Sequence, residues 1–299
     1  MTTTASSRLL YRTILTVAWL SLAAGPVALA EDAAATGKIY LVGMGPGDRE
    51  MVTLQTARLL KEADRVFCFE YLEGEVARFA PAEKITVVSP LLMARSYFKN
   101  LDNLPESMHE RGRASQAEAA RFLPRVRRLV SKGQTVVFAA AGDPTVYCPW
   151  SWLNEDFADL HPQTVPGLSS FNAASAALGQ SITKHSGSVL ISAGGDLGTS
   201  DDAGRLQGTL VLFTHRAKLD ELLPRLQQRY PLDTPIAVVG QVGYDKQLVV
   251  WGTLGTFELV LGDRKLPQLY LIYVGDGLTP PASPSEAAAE DWAGCGEDP

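Results

Sequence analysis

The strongest constraint on this chain is an apolar run that closes on glycine, then a helix-forming stretch, then another apolar run. "KIYLVG" (38–43) reads as a continuous apolar strand. Thr53 can cap a helix whose apolar face is Leu54, Ala57, Leu60 and Ala63. "DRVFCF" (64–69) and "KITVVS" (84–89) read as the next two strands. Such strand–helix–strand alternation predicts an α/β fold, a parallel sheet with helices on its faces.

Residues 93–114 are polar and basic and read as a long loop. Ser115-x-x-Glu118 is a capping box, opening a helix with Ala119, Phe122, Leu123, Val126 and Leu129/Val130 on one face. Pro124 should kink that helix and Gly133 should end it. "QTVVFAAAGDP" is a strand running into a glycine turn, followed by a helix from about Thr145. "TVPGLSSFNAASAALG" is a strand end, a turn and a small-residue helix. A second series starts near Gly187: strands "SVLISAG" and "GTLVLFTH", a helix over 216–230, then strands "PIAVVGQV", "QLVVWGTL" and "QLYLIYVG". The expectation is two α/β domains with mostly parallel sheets, 38–180 and 187–276, which the length of 299 residues accommodates.

Both ends differ from this body. Residues 1–30 carry Arg8 and Arg12, then "ILTVAWLSLAAGPVALA" with an A-x-A site before Glu31, the layout of a cleaved signal peptide. This predicts export, to the periplasm, with an N-terminal membrane anchor or a cytoplasmic chain as alternatives. Membrane contact is expected through this segment only. Residues 31–37 read as a linker. From Thr279 onward the chain has a disordered composition, and Glu286, Glu290, Asp291, Glu297 and Asp298 make it acidic. The net charge of −6 leaves no basic footprint for nucleic acid. Cys68, Cys148 and Cys295 show no metal-ligand spacing, so no metal is expected; a Cys68–Cys148 disulfide stays open.

The first glycine turn is not a usual phosphate cradle. Gly43-x-Gly45 is followed at the third position by Asp48, where a dinucleotide fingerprint has glycine. The Gly-Lys-Ser/Thr of a P-loop is absent, and an aspartate would repel a phosphate. Yet "AAAGDPTVYCPW" (139–150) again places Gly-Asp-Pro at a strand end, and "VPGLSSFNAA" (165–174) adds a Pro-Gly turn with two hydroxyls before a helix. Ligands of open α/β sheets bind at those strand ends, so the three turns suggest one crevice.

The pieces "YLVGMGPGDREMVTLQTARLLKEADRVF", "GDPTVY", "VPGLSSFNAASAALG", "GTLVLFTH", "TPIAVV" and "VVWGTL" occur in the order, and over nearly the whole span 37–275, seen in the tetrapyrrole methylases, which this chain resembles. Those enzymes use S-adenosylmethionine (SAM). "VVFAAAGDPTVYCPWSWL" is most similar to the branch that methylates carbon 20 of precorrin-2. The resemblance implies a SAM-dependent methyltransferase, two α/β domains with the cofactor between them, a cyclic tetrapyrrole substrate and a homodimer. Carried over by motif, the cofactor positions are Pro46, Gly142, Asp143, Val146, Ser169, Ser170, Thr214, Ala237 and Gly243. Asp143 could equally cap a helix beginning at Pro144.

Methyl transfer from a sulfonium needs orientation more than acid–base help, so no catalytic side chain is assigned. Tyr71 and Tyr147 are conceivable proton acceptors, with core aromatics the plainer reading. Arg49, Arg95, Lys99, Arg111 and Arg113 could meet substrate carboxylates. His109 or His215 could ligate a metallated tetrapyrrole, though a lone histidine is more often a polar surface group. The chain departs from the family pattern at Ala141, Thr214 and Val242, and across Cys68-Phe69-Glu70-Tyr71. Export would part the enzyme from cytoplasmic SAM, which leaves an exported, non-catalytic tetrapyrrole or haem binder as the alternative. A third reading, peptide-backbone N-methylation, is disfavoured by "GDPTVY".

Overall fold

A computed structural model describes residues 37–47, 49–183, 187–193, 208–214 and 218–281. The leader-like segment 1–30, most of the linker and acidic tail, Asp48, His215 and Cys295 lie outside the described residues.

The first sheet contains β1 (Ile39–Gly43), β2 (Arg65–Cys68), β3 (Ile85–Val87), β4 (Val136–Ala140) and β5 (Gln163–Val165). Its order is β3-β2-β4-β1-β5, and every pair is parallel. Both faces are covered, which is why β4 can be apolar at all five positions. On one face Phe67, Phe138, Trp150, Trp152 and Phe157 pack with α3 (His109–Ser131). On the other, Val42, Val66 and Val137 meet Leu60 of α1 (Leu54–Glu62). The short helices α2 (Glu73–Val76) and α4 (Leu153–Asp156) add Val76 to the second of these layers and Leu153 to the first.

Several local expectations need correcting. Leu54 is 91% exposed, and Thr56 takes the inward position because its hydroxyl donates to the Gly43 carbonyl at 3.1 Å. The long loop ends earlier than its polarity implies: α3 begins at His109 and runs through Pro124. Ser115 is therefore interior to the helix, its hydroxyl donating to the Leu91 carbonyl at 2.8 Å in place of capping. No helix starts at Thr145, because Pro144 to Tyr147 form a turn.

The second sheet contains β6 (Ser188–Ala193), β7 (Gly208–Phe213), β8 (Pro235–Gly240), β9 (Leu248–Thr253) and β10 (Tyr270–Val274) in the order β6-β7-β10-β8-β9. Only β6–β7 is parallel, so the expectation of mostly parallel pairing holds for the first sheet and this one is mixed. The cause is connection length. Residues 241–247 suffice to turn β8 back into β9, whereas a parallel return needs a dozen or more. Helices α6 (Leu219–Arg229) and α7 (Phe257–Leu261) cover one face through Leu222, Leu226 and Phe257. The other face is covered by α5 (Ser170–Ala177), which follows β5 in sequence yet packs Ala173 and Ala174 against Val211, Ala237 and Val239. Tyr273 locks it there by donating to the Phe171 carbonyl at 2.8 Å.

Candidate functional site

Because β1, β4 and β5 are parallel neighbours, their carboxyl ends share one edge of the sheet. The three glycine turns leave from that edge and interlock. Gly45 donates to the Gly142 carbonyl at 3.2 Å and Gly142 returns the bond to Gly45 at 2.7 Å. A Cβ on Gly43 would come within 2.6 Å of both the Gly142 oxygen and the Gly167 Cα. Gly45 (φ +73°) and Gly142 (φ +67°) lie in the left-handed region that glycine adopts without strain. Gly142 differs from the others in one respect. It is buried, yet a Cβ there would meet nothing nearer than the Ser170 nitrogen at 3.8 Å. The turn thus presents bare backbone to open space on its Cβ side, beside the first amide of α5, which has no acceptor within its own helix.

The second sheet closes on the same place. A Cβ on Gly243 would lie 2.8 Å from the Met51 sulfur and 3.0 Å from the Gly47 Cα. The Tyr147 ring stands 6.3 Å from Phe213 at the end of β7. Met51 and Phe213, which the motifs did not single out, and Gly167, visible only as a turn residue, take part in these contacts.

Pro46, Gly142, Ser170 and Gly243 are brought together by these contacts. Asp143 caps no helix; its carboxylate accepts from the Thr145 amide at 2.9 Å and hydroxyl at 2.8 Å, which fixes a charged turn next to the opening. Val146 follows in that turn and is partly exposed. Ser169 is buried and caps α5, accepting from the Phe171 amide at 3.3 Å. Thr214 is buried and its hydroxyl donates to the Tyr270 carbonyl. Ala237 sits mid-strand in β8, between Trp251 and Tyr273.

The basic candidates scatter. Arg49 is exposed beside the first turn, and Arg111 and Arg113 are exposed on the first turns of α3. Arg95 and Lys99 already face acids: Arg95 pairs with Asp156 and stands over the Trp152 ring, and Lys99 pairs with Glu155 and Asp156. The His109 ring nitrogen is engaged by the Leu104 carbonyl at 2.9 Å. Among the described residues no three His, Cys, Asp or Glu side chains gather as a metal site.

The mouth beside β2 carries unusual protonation chemistry. Cys68 and Cys148 are free and buried on opposite faces of the sheet. Burial, then the Glu73 charge, pushes the Cys68 thiol up to about 11. Burial pushes Cys148 to about 12. Both are neutral thiols at physiological pH, a poor state for nucleophilic work. Tyr71 is pushed up to about 12, first by desolvation and then by the neighbouring thiols and Tyr147. It is no core aromatic: the residue is 55% exposed. A phenol so held donates a hydrogen bond and is a poor proton acceptor.

The chemistry available is therefore close backbone approach, hydroxyl and amide donors, one fixed carboxylate and aromatic faces. These suit a cationic nucleoside-like cofactor, since the donor set can meet its polar edges and Asp143 its charge. Relatives in sequence include a precorrin-4 C(11)-methyltransferase of Mycobacterium tuberculosis, 27% identical over 258 residues (81% of this chain, 91% of the relative). An S-adenosyl-L-methionine-dependent uroporphyrinogen III methyltransferase of Methanosarcina barkeri is 26% identical over 80% of this chain and 91% of its own length. Among solved structures, a uroporphyrin-III C-methyltransferase of Thermus thermophilus superposes with a TM-score of 0.56 at 26% identity, covering 81% of this chain and 93% of its own. A Thermus thermophilus uroporphyrin-III C-methyltransferase complexed with S-adenosyl homocysteine gives a TM-score of 0.58 at 23% identity, over 81% and 98% of the two chains. The family model for tetrapyrrole (corrin/porphyrin) methylases matches residues 38–258, which takes in the whole first sheet, every strand of the second but β10 and all three glycine turns, and the chain belongs to that family.

Proposed function

We propose that this protein transfers the methyl group of SAM in line to a carbon of a cyclic tetrapyrrole, in the opening where the three glycine turns meet the second sheet. The observation that carries the reading is Gly142, a buried glycine whose Cβ side is empty and faces the amide end of α5. Family membership supports methyl transfer from SAM, and relatives named for precorrin-4 and uroporphyrinogen III support a tetrapyrrole acceptor. When bound, SAM supplies an electrophilic methyl group on a positively charged sulfur.

This chain's own residues would hold and orient. Gly142 and Gly45 leave the backbone bare, so a ligand can lie closer than any side chain would allow. Asp143, fixed by Thr145, places negative charge beside a cationic ligand. The Ser170 amide and hydroxyl offer donors. Val146 supplies apolar surface at the rim. Shielding between the two sheets keeps two reactants aligned, and effective concentration then does most of the catalytic work. Arg49, Arg111 and Arg113 are the exposed cations we assign to substrate carboxylates.

Calorimetric titration with SAM and S-adenosyl homocysteine tests the site. Micromolar binding that Gly142→Trp abolishes is the expected result, and binding of neither ligand overturns the proposal. Uroporphyrinogen III, precorrin-2 and precorrin-4 are then offered with SAM, reading a gain of one methyl by mass spectrometry. The carbon-20 branch predicts precorrin-2 as the preferred acceptor. Two separate proposals, homodimerisation and export through residues 1–30, are checked by sedimentation and by N-terminal sequencing of the periplasmic chain, which should begin at Glu31.

A further inference from the structure

Tyr71 follows β2, and β2 lies beside β4, so Tyr71 stands at the same carboxyl edge as the Gly142 turn. Its ring ends a column of aromatics that rises from the core. Trp150, held by its indole N–H donating to the Ala139 carbonyl at 2.9 Å, stacks on Phe69 at 4.3 Å and 21°. Phe69 in turn lies nearly parallel to Tyr71, at 6.2 Å and 8°. Trp150 and Phe69 are fully buried, whereas Tyr71 is 55% exposed. A rigid ring with a buried foundation and an open side is a costly thing to leave in water. It loses little conformational freedom when a flat partner covers it.

We propose that the open side of Tyr71 is the platform for one pyrrole ring of the acceptor macrocycle, a role that rests on the methyltransferase reading above. The neighbouring charges decide which part of the macrocycle meets it. Glu70 and Glu73 are both exposed beside Tyr71, and they repel a carboxylate rim. A pyrrole ring is uncharged and carries an N–H donor, so the acid-flanked platform accepts it. The carboxylate rim is thereby turned away from β2. The phenol, neutral up to about pH 12, adds a donor without adding charge.

The test titrates uroporphyrin III, by quenching of intrinsic fluorescence, and S-adenosyl homocysteine, by calorimetry, against the wild type, Tyr71→Leu and Tyr71→Phe. Tyr71→Leu should weaken porphyrin binding by roughly five- to tenfold, the worth of an aromatic contact. Tyr71→Phe should stay within about threefold of wild type, since the ring face is retained. S-adenosyl homocysteine affinity should be unchanged in both. In turnover, Tyr71→Leu should raise KM for the acceptor with kcat little altered. Wild-type porphyrin affinity in Tyr71→Leu overturns the platform, as does a changed oligomeric state without a change in porphyrin affinity. Equal loss of porphyrin and S-adenosyl homocysteine affinity in a Tyr71→Leu protein whose thermal melt is unchanged also overturns it, because the ring then serves the whole site and not the acceptor alone. The two readings fail separately. Porphyrin binding through Tyr71 without S-adenosyl homocysteine binding would remove methyl transfer and keep the platform; the converse would remove the platform alone.

Discussion

The backbones of Gly47 and Gly243 touch, one from the first glycine turn and the other from beyond β8. A Cβ on Gly47 would lie 2.6 Å from the Gly243 Cα. This contact ties the loop leaving β1 to the second sheet without any side chain, so neither residue can be enlarged without moving backbone. Gly47→Ala should destabilise the protein by about 1–3 kcal/mol in urea denaturation, the usual cost of overpacking. A stability equal to wild type would mean that the loops part easily.

Gly142 and Gly167 make a matched pair of tests because the same added methyl group meets opposite surroundings. At Gly167 a Cβ would sit 2.3 Å from the Gly142 oxygen, whereas at Gly142 it would enter open space. Gly167→Ala should therefore lose stability first. Gly142→Ala should cost about 1 kcal/mol from its left-handed backbone. Its S-adenosyl homocysteine affinity should nevertheless fall more than its stability implies. Calorimetry beside thermal denaturation separates the two effects.

Asp156 gathers both Arg95 and Lys99, and its side chain is 13% exposed. Removing its charge leaves two cations facing one exposed acid, Glu155. Asp156→Asn should lower stability by about 1–3 kcal/mol, less than a fully buried pair because water partly screens the site. The loss should shrink as salt is raised, and a thermal melt in low and high salt reads it.

The thiols predict an alkaline weakness. Cys68 and Cys148 have folded values near 11 and 12 against an ordinary 9.0, so the folded chain holds protons that the unfolded chain releases. A raised folded value contributes stability that is complete below pH 9 and is lost as pH climbs toward 11–12. Burial pushes the Tyr273 phenol in the same direction, which adds to the fall above its ordinary value of 10.0. The unfolding free energy from urea titration should be flat to about pH 9 and then drop, by up to roughly 1.4 kcal/mol per pH unit for each thiol. Replacing both cysteines by alanine should flatten that limb.

Much of this architecture was legible because its signals are local. Apolar runs closing on glycine marked β1 and β4, and alternation with helical patterns marked the class. Thr53 caps α1 as its position predicts, accepting from the Thr56 amide at 3.1 Å. The errors arose where a local signal competes with a distant partner. The start of α3 was concealed by its polar first turns, and Ser115, read as a cap, is claimed by the Leu91 carbonyl. Leu54 appeared inward by spacing, but Thr56 takes the buried position because a carbonyl in the first glycine turn needs its hydroxyl.

Sequence alone determined the α/β class and the three glycine turns, since each depends on residue type over a few neighbours. It also carried the family resemblance, which lies in short motifs in a constant order. Only the tertiary structure decided that the second sheet is mixed and that α5 covers it rather than the first. Only the fold, too, distinguishes Gly142, which opens onto space, from Gly43 and Gly167, which are packed shut. The fold likewise leaves the Tyr71 ring exposed at the tip of a buried column. Space on one side of a backbone, and charge already spent on a partner as in Arg95 and Lys99, are properties of neighbours far apart in the chain. No periodicity or spacing along the chain encodes them.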